Sequence, residues 1–212
     1  MPKNSRENLI QWLTYTGLTL AAIMATLPFI WMMLSSFMTR GETLRRVFFP
    51  KALQWANYVE AWSEEDFGLY FENSLWISFL VVGGTLLFSM MAAYPLARME
   101  FRGREPIFVV ILATLMVPET VTMVPNFLTV SWLNHVSPVP WLNNWPALTI
   151  PFMTSAFSIF LLRQFMRGIP GELYEAARID GAGHLRFLFQ IALPLCRAPL
   201  LTVGIFTFIG SW

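Results

Sequence analysis

Gly171 to Pro194 reads GELYEAARIDGAGHLRFLFQIALP, the longest polar passage in the second half of the chain, with apolar runs on both sides. Its spacing predicts a helix, a turn and a second helix. Pro170 suits a first helical position, where its missing N–H has no partner to lose. Glu172 and Glu175 fall early, where the helix dipole favours negative charge, and Arg178 comes later. Leu173, Ala176, Ala177 and Asp180 share one face at helical spacing. Two alanines on that face let another protein's surface approach the backbone closely. Gly181 and Gly183 permit a turn that needs positive φ. The second helix is expected to carry Leu185, Leu188, Phe189 and Ala192 on one side, with Arg186 and Gln190 an i, i+4 pair on another. Pro194 ends that helix or kinks it.

The surroundings of this passage are those of a membrane protein. The 212 residues are 56% hydrophobic and only 13% charged. That composition belongs to a membrane chain. A net charge of +1 gives no reason to expect a nucleic-acid partner. Cys196 is the single cysteine, so no internal disulfide forms, and an inert packed thiol is expected. Nine tryptophans suit a protein with two interfacial belts.

Working outward, Lys3 and Arg6 precede an uncharged run from Leu9 to Thr39. It exceeds the roughly 7–15 apolar residues of a signal peptide. Trp12 to Met38 is read as a retained first span, kinked at Pro28 if anywhere. Arg40 to Glu72 is mixed and polar, and one of two compatible readings of it is a surface loop with two short amphipathic helices. Asn73 to Ala97 is the second span, where Gly83-Gly84 and Ala92-Ala93 let neighbouring helices come close. Pro106 to Val130 is an interrupted third span containing Pro118, Glu119 and Pro125. Glu119 has two open readings: a carboxylate facing the bundle interior or a water-filled path, or one in the wet interface where the span ends. Ser131 to Pro146 has three tryptophans and no Lys or Arg, as an outer loop should, and His135 is expected there as a solvated loop residue. Trp145 to Leu162 is the fourth span, and Ala198 to Trp212 begins a fifth.

The basic residues set an orientation. Lys3, Arg6, Arg98, Arg102, Arg104, Arg163, Arg167, Arg178, Arg186 and Arg197 fall on one side, against Arg40, Arg45, Arg46 and Lys51 on the other. The richer side is expected to be cytoplasmic, with the N-terminus and the 171–194 passage inside.

Glu175-Ala176-Ala177, three residues, Gly181, nine residues, then Ile191-x-Leu193-Pro194 resembles the EAA loop of permease subunits in binding-protein-dependent ABC importers. RQFMRGIPGELYEAARIDGAG is most similar to the carbohydrate branch, of the maltose-system type. FFPKALQWANYVEAW and AYPLARMEFRGRE resemble the outer segment and inner loop of that family. The resemblance implies an all-α polytopic membrane bundle of the type-1 importer kind. Residues 1–69 would form the first span and an outer-face segment. Residues 70–212 would form the transmembrane domain with a coupling loop at 163–197, incomplete at its C-terminus, since FTFIGSW resembles a place where family members continue. The implied partners are a second permease subunit, a cytoplasmic ATPase dimer, an extracytoplasmic solute-binding protein and the bilayer. The implied ATPase-docking residues are Glu172, Glu175, Ala176, Ala177, Arg178, Asp180 and Gly181, with Glu119 a candidate for the pathway. No cofactor is expected on this chain, because ATP would sit on the partner.

The chemistry that is missing agrees. Lys3 and Lys51 are the only lysines, and no phosphate-cradling G-x-x-x-x-G-K-[ST] occurs. Nothing resembles a catalytic constellation or a metal site. The expected function is that of an ATP-driven importer's permease subunit in the cytoplasmic membrane, for a sugar or sugar-like solute. The competing reading is a self-sufficient secondary transporter. That would need its own ion site and usually an internal repeat, and no repeat is visible.

Overall fold

A computed structural model of the chain describes residues 5–45 and 47–212, leaving out the side chains of Ser5, Arg6 and Glu119. Lys3 and Arg46, both used above for orientation, lie outside the described residues. Among those described there is no strand. Two compact units divide the chain, Met1–Leu69 and Tyr70–Trp212.

The first unit opens with α1, Ser5–Ser36, unbroken through Pro28. From Glu7 it is apolar enough to cross a bilayer, with mean hydropathy 1.9, and its apolar window buries nothing inside the chain. Thirty residues at about 1.5 Å each exceed the ~30 Å hydrocarbon core. Two short helices follow, α2 (Arg40–Leu44) and α3 (Ala56–Glu64), in keeping with the surface-loop reading of this segment. Thr39 and Glu42 close a capping box on α2. The Glu42 carboxylate accepts from Thr39 N and from Lys51 N, both at 3.0 Å. Those backbone donors, with the Thr39 hydroxyl, hold it below the usual carboxylate range. Asn57 Nδ2 donates to the carbonyls of Ser36 and Met38 at 2.9 and 3.0 Å, serving the end of α1, which lacks intrahelical partners there.

The second unit is built on α4, Phe67–Arg98, with mean hydropathy 2.0. It starts six residues before the expected Asn73. Gly84 is where a neighbour comes closest, since a Cβ there would overlap the Met153 side chain, whereas Gly83 faces open space. Ala93 is fully buried. Lipid offers apolar groups almost the same surroundings as a protein core, so such close approach matters more here than burial itself.

The third span is broken as expected, into α5 (Arg104–Thr114) and α6 (Glu119–Val136), with Pro118 as the cap of α6. This pair does not rank with the candidate spans. Asn126, Asn134 and His135 dilute α6, and His135 sits in its last turn rather than in a loop, with Nδ1 2.7 Å from the Ser131 carbonyl. The fourth span is also broken, which the sequence reading did not expect. α7 (Trp145–Thr149) passes through a 3₁₀ turn at Ile150–Phe152 and bends by 42° into α8 (Ala156–Arg167). Pro151 cannot donate in that turn, and the Ser155 hydroxyl restarts the ladder by accepting from Ser158 N. Then come α9 (Gly171–Ile179), α10 (His184–Phe187), a π turn at Leu188–Ala192, α11 (Leu193–Leu195) and α12 (Arg197–Ser211). The stretch from His184 to Leu195 meets α12 at 81°. Counting each bent pair as one span, up to four segments can cross a membrane.

Candidate coupling site at the polar end of the second unit

α9 begins at Gly171, with Pro170 as its cap rather than its first residue, at ψ 139°. Gly181 ends it at φ +77°. Gly181 N donates to Arg178 O at 3.0 Å and Ala182 N to Ala177 O at 2.8 Å. These two bonds satisfy carbonyls that a helix end otherwise leaves open, and they demand the left-handed residue between them. Gly183 has φ −77° and ψ 174°, so only one of the two expected glycine conformations is used.

The docking residues separate by exposure. Glu172, Glu175, Ala176, Arg178, Asp180 and Gly181 are exposed. Ala177 is not: it is 5% exposed and belongs to the chain's own core beside Phe187 and Ile169. Tyr174 and Ala177, one turn apart, form the inward face, which corrects the expectation of a free two-alanine surface. The second helix is corrected in the same way. Phe187, Leu188 and Ala192 are buried, while Leu185 and Phe189 point outward. The π turn inserts an extra residue per turn and shifts the face away from simple helical spacing. The Arg186–Gln190 pair does form, Nε donating to Oε1 at 3.0 Å. Pro194 does not stop the helix; the break falls after Leu195, at Cys196, which is buried.

α9 and α10 are held by side chains that the sequence reading passed over. Tyr94 OH lies 2.9 Å from His184 Nδ1, and Tyr174 OH lies 3.3 Å from the same atom. Phe187 packs edge-on to Tyr174, with centroids 5.0 Å apart. Arg98 donates through Nη2 to the Ile169 carbonyl just before α9.

Among the described residues Arg163 is the most buried charge, 2% exposed. Its Nε donates to the Leu96 carbonyl at 2.9 Å, near the C-terminal end of α4. A cation is favoured there by the helix dipole. Its Nη2 reaches both carboxylate oxygens of Glu105, at 2.8 and 2.9 Å, in the first turn of α5. Partial desolvation pushes the Glu105 carboxyl up, but the guanidinium of Arg163, helped by Arg104, holds it below the usual range. A cavity of 480 Å³ opens beside α9, lined by Phe165, Ile169, Pro170, Leu173 and Leu195 among others. A polar plate is thus bolted to the ends of α4, α5 and α8, with Glu172, Glu175 and Asp180 exposed and the Arg178 guanidinium 5.9 Å from the centre of the Tyr174 ring. Glu119 is not part of it: its backbone starts α6 and its side chain lies outside the described residues. Among the described residues no group of His, Cys, Asp and Glu could hold a metal ion.

Residues 84–212 match the family described as binding-protein-dependent transport system inner membrane component. The chain belongs to this family. It is 36% identical, over 94% of its length, to the diacetylchitobiose uptake system permease protein NgcG of Streptomyces coelicolor, and covers 65% of that protein. It is 34% identical over 99% of its length to the arabinooligosaccharides transport system permease protein AraQ of Halalkalibacterium halodurans, covering 75% of it. The chain therefore spans about two thirds to three quarters of these relatives. A solved bacterial ABC transporter involved in import of the acidic polysaccharide alginate superposes over the whole chain with TM-score 0.86 at 26% identity, the chain covering 74% of the neighbour. The inner membrane component family is one of transport permeases, not enzymes, and its sugar-system members set aside the secondary-transporter reading. The all-α membrane bundle of the importer kind is the fold of this chain.

Proposed function

We propose that the chain is the permease subunit of an ATP-driven importer for a sugar or sugar-like solute, working in the cytoplasmic membrane with its N-terminus inside. A second permease would complete the pathway, a binding protein would deliver solute from outside, and an ATPase pair would hold the ATP. In this reading the ATPase docks on α9. One observation carries it: Glu172, Glu175, Ala176 and Arg178 of α9, with Asp180 and Gly181 just after it, are exposed, while Ala177 on the other face is locked into the core. Glu175 forms no ion pair or hydrogen bond within the described residues, so its charge is available to a partner. The bundle is then a two-state element whose equilibrium the ATPase biases through differential contacts. Glu119 remains a pathway candidate on the sequence argument.

The test is co-purification. Glu175→Ala and Gly181→Asp should insert and pair with the second permease, yet lose the ATPase in detergent or lose solute-stimulated ATP hydrolysis. If both variants retain the ATPase and full stimulation, α9 is not the coupling element.

A further inference from the structure

α3 is a nine-residue helix with two chemistries separated around its axis. At 100° per residue, Trp55, Tyr58, Val59 and Trp62 fall within an arc of about 100°, and Glu60 and Glu64 fall on the opposite side. Trp55 caps the helix with helical backbone angles, so it belongs to the same face as the other three. Trp55, Val59 and Trp62 are 64, 69 and 65% exposed. An apolar face of that size marks a contact with lipid or with another surface.

The position of α3 selects lipid. Its first turn is tied to the end of α1, the helix long enough to cross a bilayer. Besides the two Asn57 bonds, Tyr58 OH lies 2.6 Å from Ser36 Oγ, and Gln54 N donates to Phe37 O at 3.0 Å. The Phe37 ring meets Trp55 edge-on, with centroids 4.8 Å apart. At the other end, only Glu65 and Asp66 separate α3 from α4, the next apolar span. There the Trp62 ring lies 5.8 Å from that of Phe67, in the first turn of α4. A helix that runs from the exit of one span to the entry of the next lies at the level of the lipid headgroups. Tryptophan and tyrosine gather at that level, with their rings toward the acyl chains and their polar tips in water.

α1 needs such an anchor. Its apolar window buries nothing against the rest of the chain. From Glu7 it is about 45 Å long against a hydrocarbon core of ~30 Å, so length alone leaves its depth and tilt open. Interfacial aromatic side chains are what settle them. Glu60 and Glu64 gain nothing from anionic headgroups, so ring burial rather than charge must supply the hold. We propose that α3 lies along the lipid–water interface at the C-terminal end of α1, with Trp55, Val59 and Trp62 immersed in lipid, and that it thereby fixes how deep α1 sits. In the orientation proposed above this is the outer leaflet, and the reverse orientation would change the leaflet alone.

Cys196 is buried and is the only native cysteine, so an introduced surface thiol can be labelled alone. The full-length protein, purified with the subunits that accompany it, would carry an environment-sensitive fluorophore at Val59→Cys, Trp62→Cys, Glu60→Cys or Glu64→Cys. Each is placed in phosphatidylcholine nanodiscs and quenched by a lipid-borne nitroxide close to the headgroup, or by aqueous iodide. Lipid quenching at 59 and 62 should exceed that at 60 and 64 by about threefold, with the order reversed for iodide. Val59→Cys carries the test if Trp62→Cys fails to assemble. Iodide access without lipid quenching at 59 and 62 would mean a face turned to water. Protection from both quenchers would mean a protein cover, from another subunit or a binding protein. Either result overturns the proposal. The anchoring role is read separately, from a fluorophore at Leu9→Cys near the opposite end of α1. Its lipid quenching should change about twofold when Trp55→Ser and Trp62→Ser are combined, and an unchanged signal would remove α3 as the element that sets the depth of α1.

Discussion

Arg163 Nη2 stands 2.8 Å from one carboxylate oxygen of Glu105 and 2.9 Å from the other, while the Arg163 guanidinium carbon lies 3.7 Å from the centre of the Phe108 ring. The same side chain caps α4 through Leu96. One buried guanidinium thereby fixes α4, α5 and α8 at the end that carries α9.

Replacing Arg163 by alanine orphans the Leu96 carbonyl and removes the ring contact, at a cost of about 2–4 kcal/mol. Thermal unfolding in detergent should shift down by several degrees. Arg163→Lys should recover only part, because one ammonium cannot hold the planar arrangement of all three contacts. An unchanged midpoint in both variants would remove Arg163 from this role.

Glu105 supplies a pH dependence with a definite sign. Its folded carboxyl lies below the ordinary value of 4.5, because attraction to Arg163 outweighs its partial desolvation. The stabilisation is therefore full above that value and fades as pH falls through the folded one. Melting temperature should drop on acidification below about pH 4.5, and Glu105→Gln should flatten that part of the profile. Parallel profiles for the parent and the variant would assign the acid loss to other carboxylates.

Gly181→Ala meets no neighbour within 4 Å, so it tests the backbone alone. At φ +77° it should cost about 1–2 kcal/mol, with Gly181→Asn milder because asparagine tolerates this region. Glu175→Ala, by contrast, should stay within about 0.5 kcal/mol of the parent, since that exposed carboxylate makes no hydrogen bond or ion pair among the described residues. Differential scanning of the three variants checks both; a destabilised Glu175→Ala would expose an internal role for that carboxylate.

Cysteines introduced at positions 102 and 178 should be shielded from an impermeant thiol reagent in intact cells, and those at 64 and 143 should react. The buried Cys196 gives a quiet background. Reaction at 102 would reverse the orientation proposed from the arginines.

Much of this was present in the residues read one after another. Apolar runs longer than a bilayer, the Pro118 break, the Gly181 terminator and the Arg186–Gln190 pair all follow from short-range rules, because each is settled by neighbours within about a turn. The Thr39–Glu42 capping box was equally local and was simply overlooked; T-x-x-E was its signal. Other features required the folded bundle. Ala177 turns inward because Phe187 and Ile169 come to meet it, and the π turn moves the buried face of the next helix off the expected spacing. Arg163 read as one more basic residue marking a side of the membrane. Its burial depends on Leu96, Glu105 and Phe108, which arrive from two other helices. Periodicity fixes which way a helix faces relative to itself; only packing decides which residues of distant segments share a buried space, because that depends on how whole helices fit together.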